Sequence, residues 1–381
     1  MTSASAYEQT ASEGSDPVRL LLVARTRYEL PLSPSLERKF DALRGHFDLR
    51  VLATAADGRP HDDGSFRLVG RLGPLDGPLF YALLPFRVRR VAREHRAEAI
   101  VTQSPYEAAC VSLARTGARL VVELHGDWRT ATRLYGSSLR RALSPLADAV
   151  GAYGLRRADA VRTVSSYTTG LVRELGVEPA AEFPAFMDLE LFSERPPEPL
   201  PETPSALFVG VLELYKNVDG LARAWRRAAP RLPGVTLRLV GRGSREDIPR
   251  ELVRDLPAQT SWTERLTQAD VARALDEATC LVLPSRSEGL GRVLIEAFLR
   301  GRPAVAMDVG GIRDVVEDGV NGLIVSSDDE LAEALVRLLS DRQLAERLGA
   351  GAHASAGRWL VTPAEYAERM SEVIRPYTPQ R

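Results

Sequence analysis

Lysine is almost missing from this chain. Of its 50 basic residues only Lys39 and Lys216 are lysines. A lysine that survives such a bias is a candidate for work that needs a compact ammonium rather than arginine's planar fork. Cysteine is nearly as rare. Cys110 and Cys280 each lie in an apolar run, which reads as buried free thiols, and no Cys/His spacing suggests a structural metal. Net charge is close to nil, at -1, so no global basic field argues for nucleic acid. No apolar run approaches the ~18–20 residues of a membrane span. Residues 1–17 are small, polar and acidic, without the basic start and apolar stretch of a secretory leader. They read as a disordered tail, and the expected location is cytoplasmic, at the inner face of the membrane if a basic surface helix finds one.

What is present is alternation. In the first half, strands are expected at 18–24, 49–53, 99–103, 120–124 and 160–164. Helices are expected at 35–43, 80–95, 107–116, 138–157 and 166–175. Residues 195–204 hold five prolines in ten, which reads as a stiff, exposed linker. The alternation then restarts, with strands at 206–211, 236–240, 280–283, 304–307 and 322–325 and helices between them. The fold class is therefore α/β, as two doubly wound, Rossmann-like parallel-sheet domains facing a central cleft. The expected divisions are 1–17 (tail), 18–194 (first domain), 195–205 (linker), 206–361 (second domain) and 362–381, a last helix returning to the first domain. In such sheets ligands lie at the carboxyl ends of the strands, here in the cleft.

The densest segment is Leu283-Pro-Ser-Arg-Ser-Glu-Gly-Leu-Gly-Arg-Val-Leu-Ile-Glu-Ala297. A strand ends, a polar loop with Gly289 and Gly291 follows, and a helix begins. Glycine lets backbone approach a ligand, and free amides at a helix start suit phosphate or sugar oxygens. Glu288 and Glu296 are eight residues apart, about 12 Å along a helix, so they suit hydroxyls at two ends of an extended ligand.

This segment resembles the signature of glycosyltransferase family 4, retaining enzymes of the GT-B fold. The resemblance extends through Gly301-Arg-Pro-Ala-Val-Ala306, Val309-Gly-Gly-Ile312 and Val316-Glu-Asp-Gly-Val-Asn-Gly-Leu323. It implies that Glu288 binds donor-sugar hydroxyls, that Glu296 binds ribose, and that the backbone of Gly289, Leu290 and Gly291 faces the sugar and diphosphate. Val209-Gly-Val-Leu-Glu-Leu-Tyr-Lys216 matches the family's strand-end loop, which places Gly210 at the donor and Lys216 on its diphosphate. Val211 stands where many members carry a second, cationic clamp. Arg286, Arg242 or Arg292 is expected to replace it, with Arg286 favoured. Arg242 and Gly243, in Leu239-Val-Gly-Arg-Gly243, border the nucleotide, and Trp262 either stacks on the base or simply packs. In the first half, His125 in Val122-Glu-Leu-His-Gly-Asp-Trp128 matches the histidine near the transferred sugar. Asp127 and Arg27 are acceptor-side candidates, Arg27 from a first loop, 25–31, that lacks the family's glycines. Ser165 and Ser166 read as a helix cap.

The expected activity is retaining transfer of a hexose from a nucleoside diphosphate sugar, with UDP-hexose favoured and His125, Lys216 and Glu288 catalytic. No cofactor or metal is expected. The acceptor is left as a glycan, a lipid-linked species or a small molecule. A basic stretch, 86–96, with Arg140, Arg141, Arg156 and Arg157, suggests peripheral membrane contact or an ordinary solvated face. The alternative to an enzyme is a non-catalytic nucleotide-sugar-binding subunit.

Overall fold

The computed structural model describes residues 17–71, 73, 76–134 and 142–375. The expected tail, apart from Pro17, and the pair Arg140–Arg141 lie outside them. Two parallel sheets are present. The first runs, edge to edge, His61–Asp62, Phe66–Val69, Phe47–Ala55, Val18–Tyr28, Ala99–Thr102, Arg119–Leu124, Ala160–Thr163 and Ala181–Glu182. All its pairings are parallel except the short His61–Asp62 edge. The second runs Thr260–Thr263, Thr236–Val240, Ser205–Val209, Cys280–Leu283, Ala304–Met307 and Gly322–Val325. Its central strands are nearly unbroken apolar runs (Ala206, Leu207, Phe208; Cys280 to Leu283; Ala304 to Ala306), all buried, because helices cover both faces.

Several short elements escaped the sequence pattern. Phe66–Val69, next to the edge of the first sheet, and Thr260–Thr263, at the edge of the second, are four-residue strands, too brief to show periodicity. The segment expected as the first loop, 25–31, is in part strand. After a register shift between Val23 and Arg27, the pairing resumes at Arg27 with Thr54 and Tyr28 with Ala55. Tyr28 explains this. Its ring is buried edge-on against Phe40 and Phe66, at 5.7 and 5.8 Å, and apolar anchoring outweighs the polar residues before it.

The domain crossing also differs from expectation. Phe183 belongs to the first core, whereas Met187, Leu189 and Phe192 are already in the second. The chain therefore crosses between Phe183 and Met187, ahead of the proline-rich segment. That segment is not a free spacer. Prolines remove donors but leave carbonyls that need partners. Two fully buried arginines supply them: Arg300 binds the carbonyls of Arg195 and Pro196, and Arg302 that of Pro199. Arg342 holds the carbonyls of Leu200 and Pro201 from outside. The chain returns at its end. Helix Pro363–Ile374 sets Tyr366, Met370 and Ile374 into the first core, alongside Phe40 and Phe183.

Candidate functional site

In the second sheet the strand order reverses beside Ser205–Val209, whose neighbours are Thr236–Val240 on one side and Cys280–Leu283 on the other. This is the switch point at which doubly wound sheets bind ligands. The loops leaving Val209 and Leu283 meet there. The first makes a short 3-10 turn, Leu214–Lys216, closed by Asn217 in a left-handed conformation. Lys216 then reaches across, and its Nζ donates to Glu288 Oε1 at 2.6 Å. Ser285 Oγ donates to the same oxygen at 2.6 Å. The pair is nearly enclosed, with side chains 12% and 11% accessible.

The Glu288–Gly291 loop is pressed between two backbones. A Cβ on Gly289 would stand 1.9 Å from the His125 carbonyl oxygen, so only glycine admits this approach of one domain to the other. From behind, Gly310 and Gly311 close on the Glu288 and Gly289 carbonyls, and Gly311 N–H donates to Glu288 O at 3.2 Å. The Val309-Gly-Gly-Ile312 motif thus forms the floor under the loop. Helix Arg292–Leu299 starts from Gly291, at φ 81°; the Leu294 amide turns back to the Gly291 carbonyl at 2.9 Å, and the amides before it open the helix toward the loop. Glu296 lies one turn in. Burial pushes its carboxyl up to about 7, with Arg292 opposing, and it makes no hydrogen bond among the described residues.

His125 sits at the end of strand Arg119–Leu124, with 37% of its side chain accessible from the cleft. Its edge meets solvent, but groups packed behind it govern its titration. Burial drives the imidazole down to about 4, against the pull of Glu123 and with help from Arg162, Lys39 and Arg292. It is neutral at physiological pH. Behind it lies a buried network that sequence reasoning missed. Burial alone would raise Glu123, but Arg162, His125 and Lys39 hold it down to about 2. Glu123 is ion-paired to Arg162, whose Nη1 donates to the Phe183 carbonyl at 3.0 Å. Tyr366 OH donates to the same carboxylate at 3.2 Å. Lys39 Nζ lies 5.5 Å from the Tyr366 ring centre, its pKa lowered by burial. The scarcity of lysine was a signal for Lys39 as much as for Lys216.

Other expected residues have different duties. Asp127 is committed to the start of helix Trp128–Leu134. It accepts from the Arg129 amide and Nε, both at 2.9 Å, and from Tyr167 OH at 3.1 Å. Arg286 is likewise occupied. It donates to Asp219 at 2.8 Å and to the Leu214 carbonyl at 2.9 Å, bracing the turn that carries Lys216. Arg292 is exposed and unpaired among the described residues. Arg27 is exposed in the last residues of strand Val18–Tyr28 and Arg242 in the loop after Val240, Val211 is 46% exposed, and Leu290 is buried beneath the loop. Gly210 and Gly241 are in close backbone contact, and Gly243 packs on the Leu212 carbonyl. Trp262 packs, its Nε1 donating to the Gly241 carbonyl at 2.9 Å. Ser165 caps its helix in a reciprocal box with Thr168. Ser166 instead crosses the cleft, its amide donating to Asp314 at 2.6 Å. Among the described residues no cluster of three or more His, Cys, Asp or Glu is arranged to hold a metal.

Comparison with known proteins gives the family and the fold. The family profile described as "Glycosyl transferase 4-like domain" matches residues 35–182, and that described as "Glycosyl transferases group 1" matches 203–341. The chain belongs to the GT4-like glycosyltransferases. The two matches meet on either side of the cleft, so both halves of the GT4-like pattern are represented. D-inositol 3-phosphate glycosyltransferase of Nocardia farcinica is 35% identical over 190 residues, 46% of this chain and 42% of the relative. The chain thus spans less than half the length of that curated relative. Sucrose-phosphate synthase from Thermosynechococcus elongatus superposes with a TM-score of 0.74 at 19% identity, over 93% of this chain and 98% of its own. HepE of Anabaena, solved with UDP and glucose, gives 0.66 at 20% identity, over 93% and 98%. These likenesses establish the GT-B fold.

Proposed function

We propose that this GT4-like chain transfers a hexose from a nucleoside diphosphate sugar, UDP-hexose by preference, to an acceptor hydroxyl with retained anomeric configuration and without a metal. The observation that carries this reading is the 2.6 Å Lys216–Glu288 pair, set against a helix start and a half-buried Glu296 with no hydrogen-bond partner among the described residues. One ammonium, free amides and two carboxylates complement a diphosphate flanked by two polyols. Lys216 and the amides after Gly291 take the diphosphate, Glu288 the sugar and Glu296 the ribose. With Arg286 braced on Asp219, Arg292 supplies the second cation in place of the clamp that Val211 lacks. The presence of UDP and glucose in HepE favours this donor class.

In the step itself the bond from the anomeric carbon to the phosphate oxygen breaks, and one from that carbon to the acceptor oxygen forms on the same face. The acceptor proton passes to the departing phosphate, whose charge Lys216 stabilises. Neutral His125 hydrogen-bonds the transferred sugar rather than adding charge beside it. The acceptor, a glycan, lipid-linked species or small molecule, binds on the first domain, whose work is placed at a membrane surface. The test is proton NMR of the product formed by the isolated chain from UDP-hexose and a panel of acceptor alcohols. A retained anomer is expected. An inverted one contradicts the mechanism, and donor binding without any turnover replaces it with the binding-subunit reading.

A further inference from the structure

The first domain leaves one of its faces apolar on the outside. Helices Asp76–His95, Pro105–Ala114 and Ser144–Arg156 are the connections into the neighbouring strands Ala99–Thr102, Arg119–Leu124 and Ala160–Thr163. They therefore lie side by side on the same face of the sheet and run in the same sense. Their inner sides fill one core. Their outer sides should be polar, and they are not. Of the eleven large apolar side chains still exposed among the described residues, seven lie on these helices or at the residue before one. Phe86 is 73% exposed, Leu113 63% and Leu146 65%. In Ser144–Arg156 the outward residues Leu146, Val150 and Tyr153 are spaced by four and three, which is a stripe along a helix whose opposite side is already buried.

The charge on this face is one-sided. Arg89, Arg93, Arg115 and Arg157 are exposed and make no ion pair among the described residues. The carboxylates are all engaged: Asp148 with Arg133, Glu94 with Arg67 and Arg90, Asp76 with Arg25, and Glu107 is buried. Arg115 and Arg157 stand at or just beyond the ends of helices that point away from the cleft, and Arg157 lies over the Tyr153 ring at 5.4 Å. An apolar band therefore grades through a tyrosine into a fringe of arginines. Helix Ser144–Arg156 also packs on Trp128, three residues after His125, so the band adjoins the cleft wall.

We propose that this three-helix face docks on an anionic lipid surface, with Phe86, Leu146 and Val150 entering the acyl boundary and the arginines on headgroups. An apolar strip bordered by cations and a tyrosine has that chemistry. A second copy docked through the same face meets no free carboxylate for its arginines, so self-association leaves those charges unanswered. The proposal deepens the membrane placement in the preceding subsection and is independent of the transfer chemistry.

The test is co-sedimentation of the full chain with phosphatidylcholine vesicles, with and without phosphatidylglycerol, beside Phe86→Glu/Leu146→Glu and Arg89→Ala/Arg93→Ala. Binding that requires phosphatidylglycerol is expected. It should weaken roughly tenfold or more in the first variant and about fivefold per arginine in the second. Both variants alter exposed side chains, so their melting temperatures should match the parent chain. Absence of phosphatidylglycerol-dependent binding at low salt overturns the proposal, as does binding that both variants leave unchanged. A dimer seen by sedimentation velocity and abolished by the first variant, without vesicle binding, assigns the face to a second copy instead. UDP affinity measured on the same samples reports the donor site separately, so failure of one reading does not mimic failure of the other.

Discussion

Glu288 and Glu296 look alike in the sequence and are opposites in the fold. Glu288 has its charge answered by Lys216 before any ligand arrives. Glu296 does not, and burial holds it at about 7. Accepting two ribose hydroxyls requires the ionised form, so binding must expel the proton that is present below that value. UDP affinity should therefore rise roughly tenfold between about pH 6 and pH 8, the range over which such a group ionises. Calorimetry across that range checks it, and Glu296→Gln should flatten the profile. A profile equally steep in Glu296→Gln removes Glu296 as its source. The positions of both glutamates were legible from the motif. Their difference was not, because it depends on what a fold packs around each one. The same holds for Asp127: the sequence shows a carboxylate beside His125, but not that Arg129 and Tyr167 hydrogen-bond to it.

At the scale of elements, the Pro284-to-Leu299 loop and helix carries two arginines with separate tasks. Arg286 points back to Asp219 and the Leu214 carbonyl, holding the turn under Lys216. Arg292 opens the helix, is exposed, and is the second cation we propose for the donor. Arg292→Ala should raise the KM for donor about tenfold and leave the melting temperature unchanged, as expected for one lost charge-assisted contact. Arg286→Ala should instead lower the melting temperature by roughly 2–4 °C, for about 1 kcal/mol lost from a partly exposed ion pair. The reverse pattern in thermal melts and donor kinetics would restore Arg286 as the clamp. The core strands were plain in the sequence because they are continuous buried runs. Phe66–Val69 and Ala181–Glu182 were not, being short strands at or next to a sheet edge, held by pairing rather than by their own pattern. The prolines at 195–204 did mark an irregular segment, but the sequence could not reveal that Arg300 and Arg302, a hundred residues on, would fix its backbone.

At the scale of the molecule, two domains face a cleft, and the chain crosses it twice. It passes over between Phe183 and Met187 and returns by helix Pro363–Ile374, which brings Tyr366 to Glu123 behind His125. Ser166 to Asp314 and Thr130 to Ser287 tie the rims, and His125 O abuts Gly289. The two-domain plan was legible from alternation alone. These cross-cleft contacts were not, since each joins residues more than a hundred positions apart. On the proposed reading this cleft is a nucleoside-diphosphate-sugar site built on Lys216 and Glu296. Isothermal titration of the chain with UDP, GDP, ADP and dTDP, beside Lys216→Ala and Glu296→Ala, tests it most directly. Binding selective for UDP, and at least about tenfold weaker in each variant, is expected. Nucleotide binding unaltered by both substitutions, or no binding of any of the four, would contradict it.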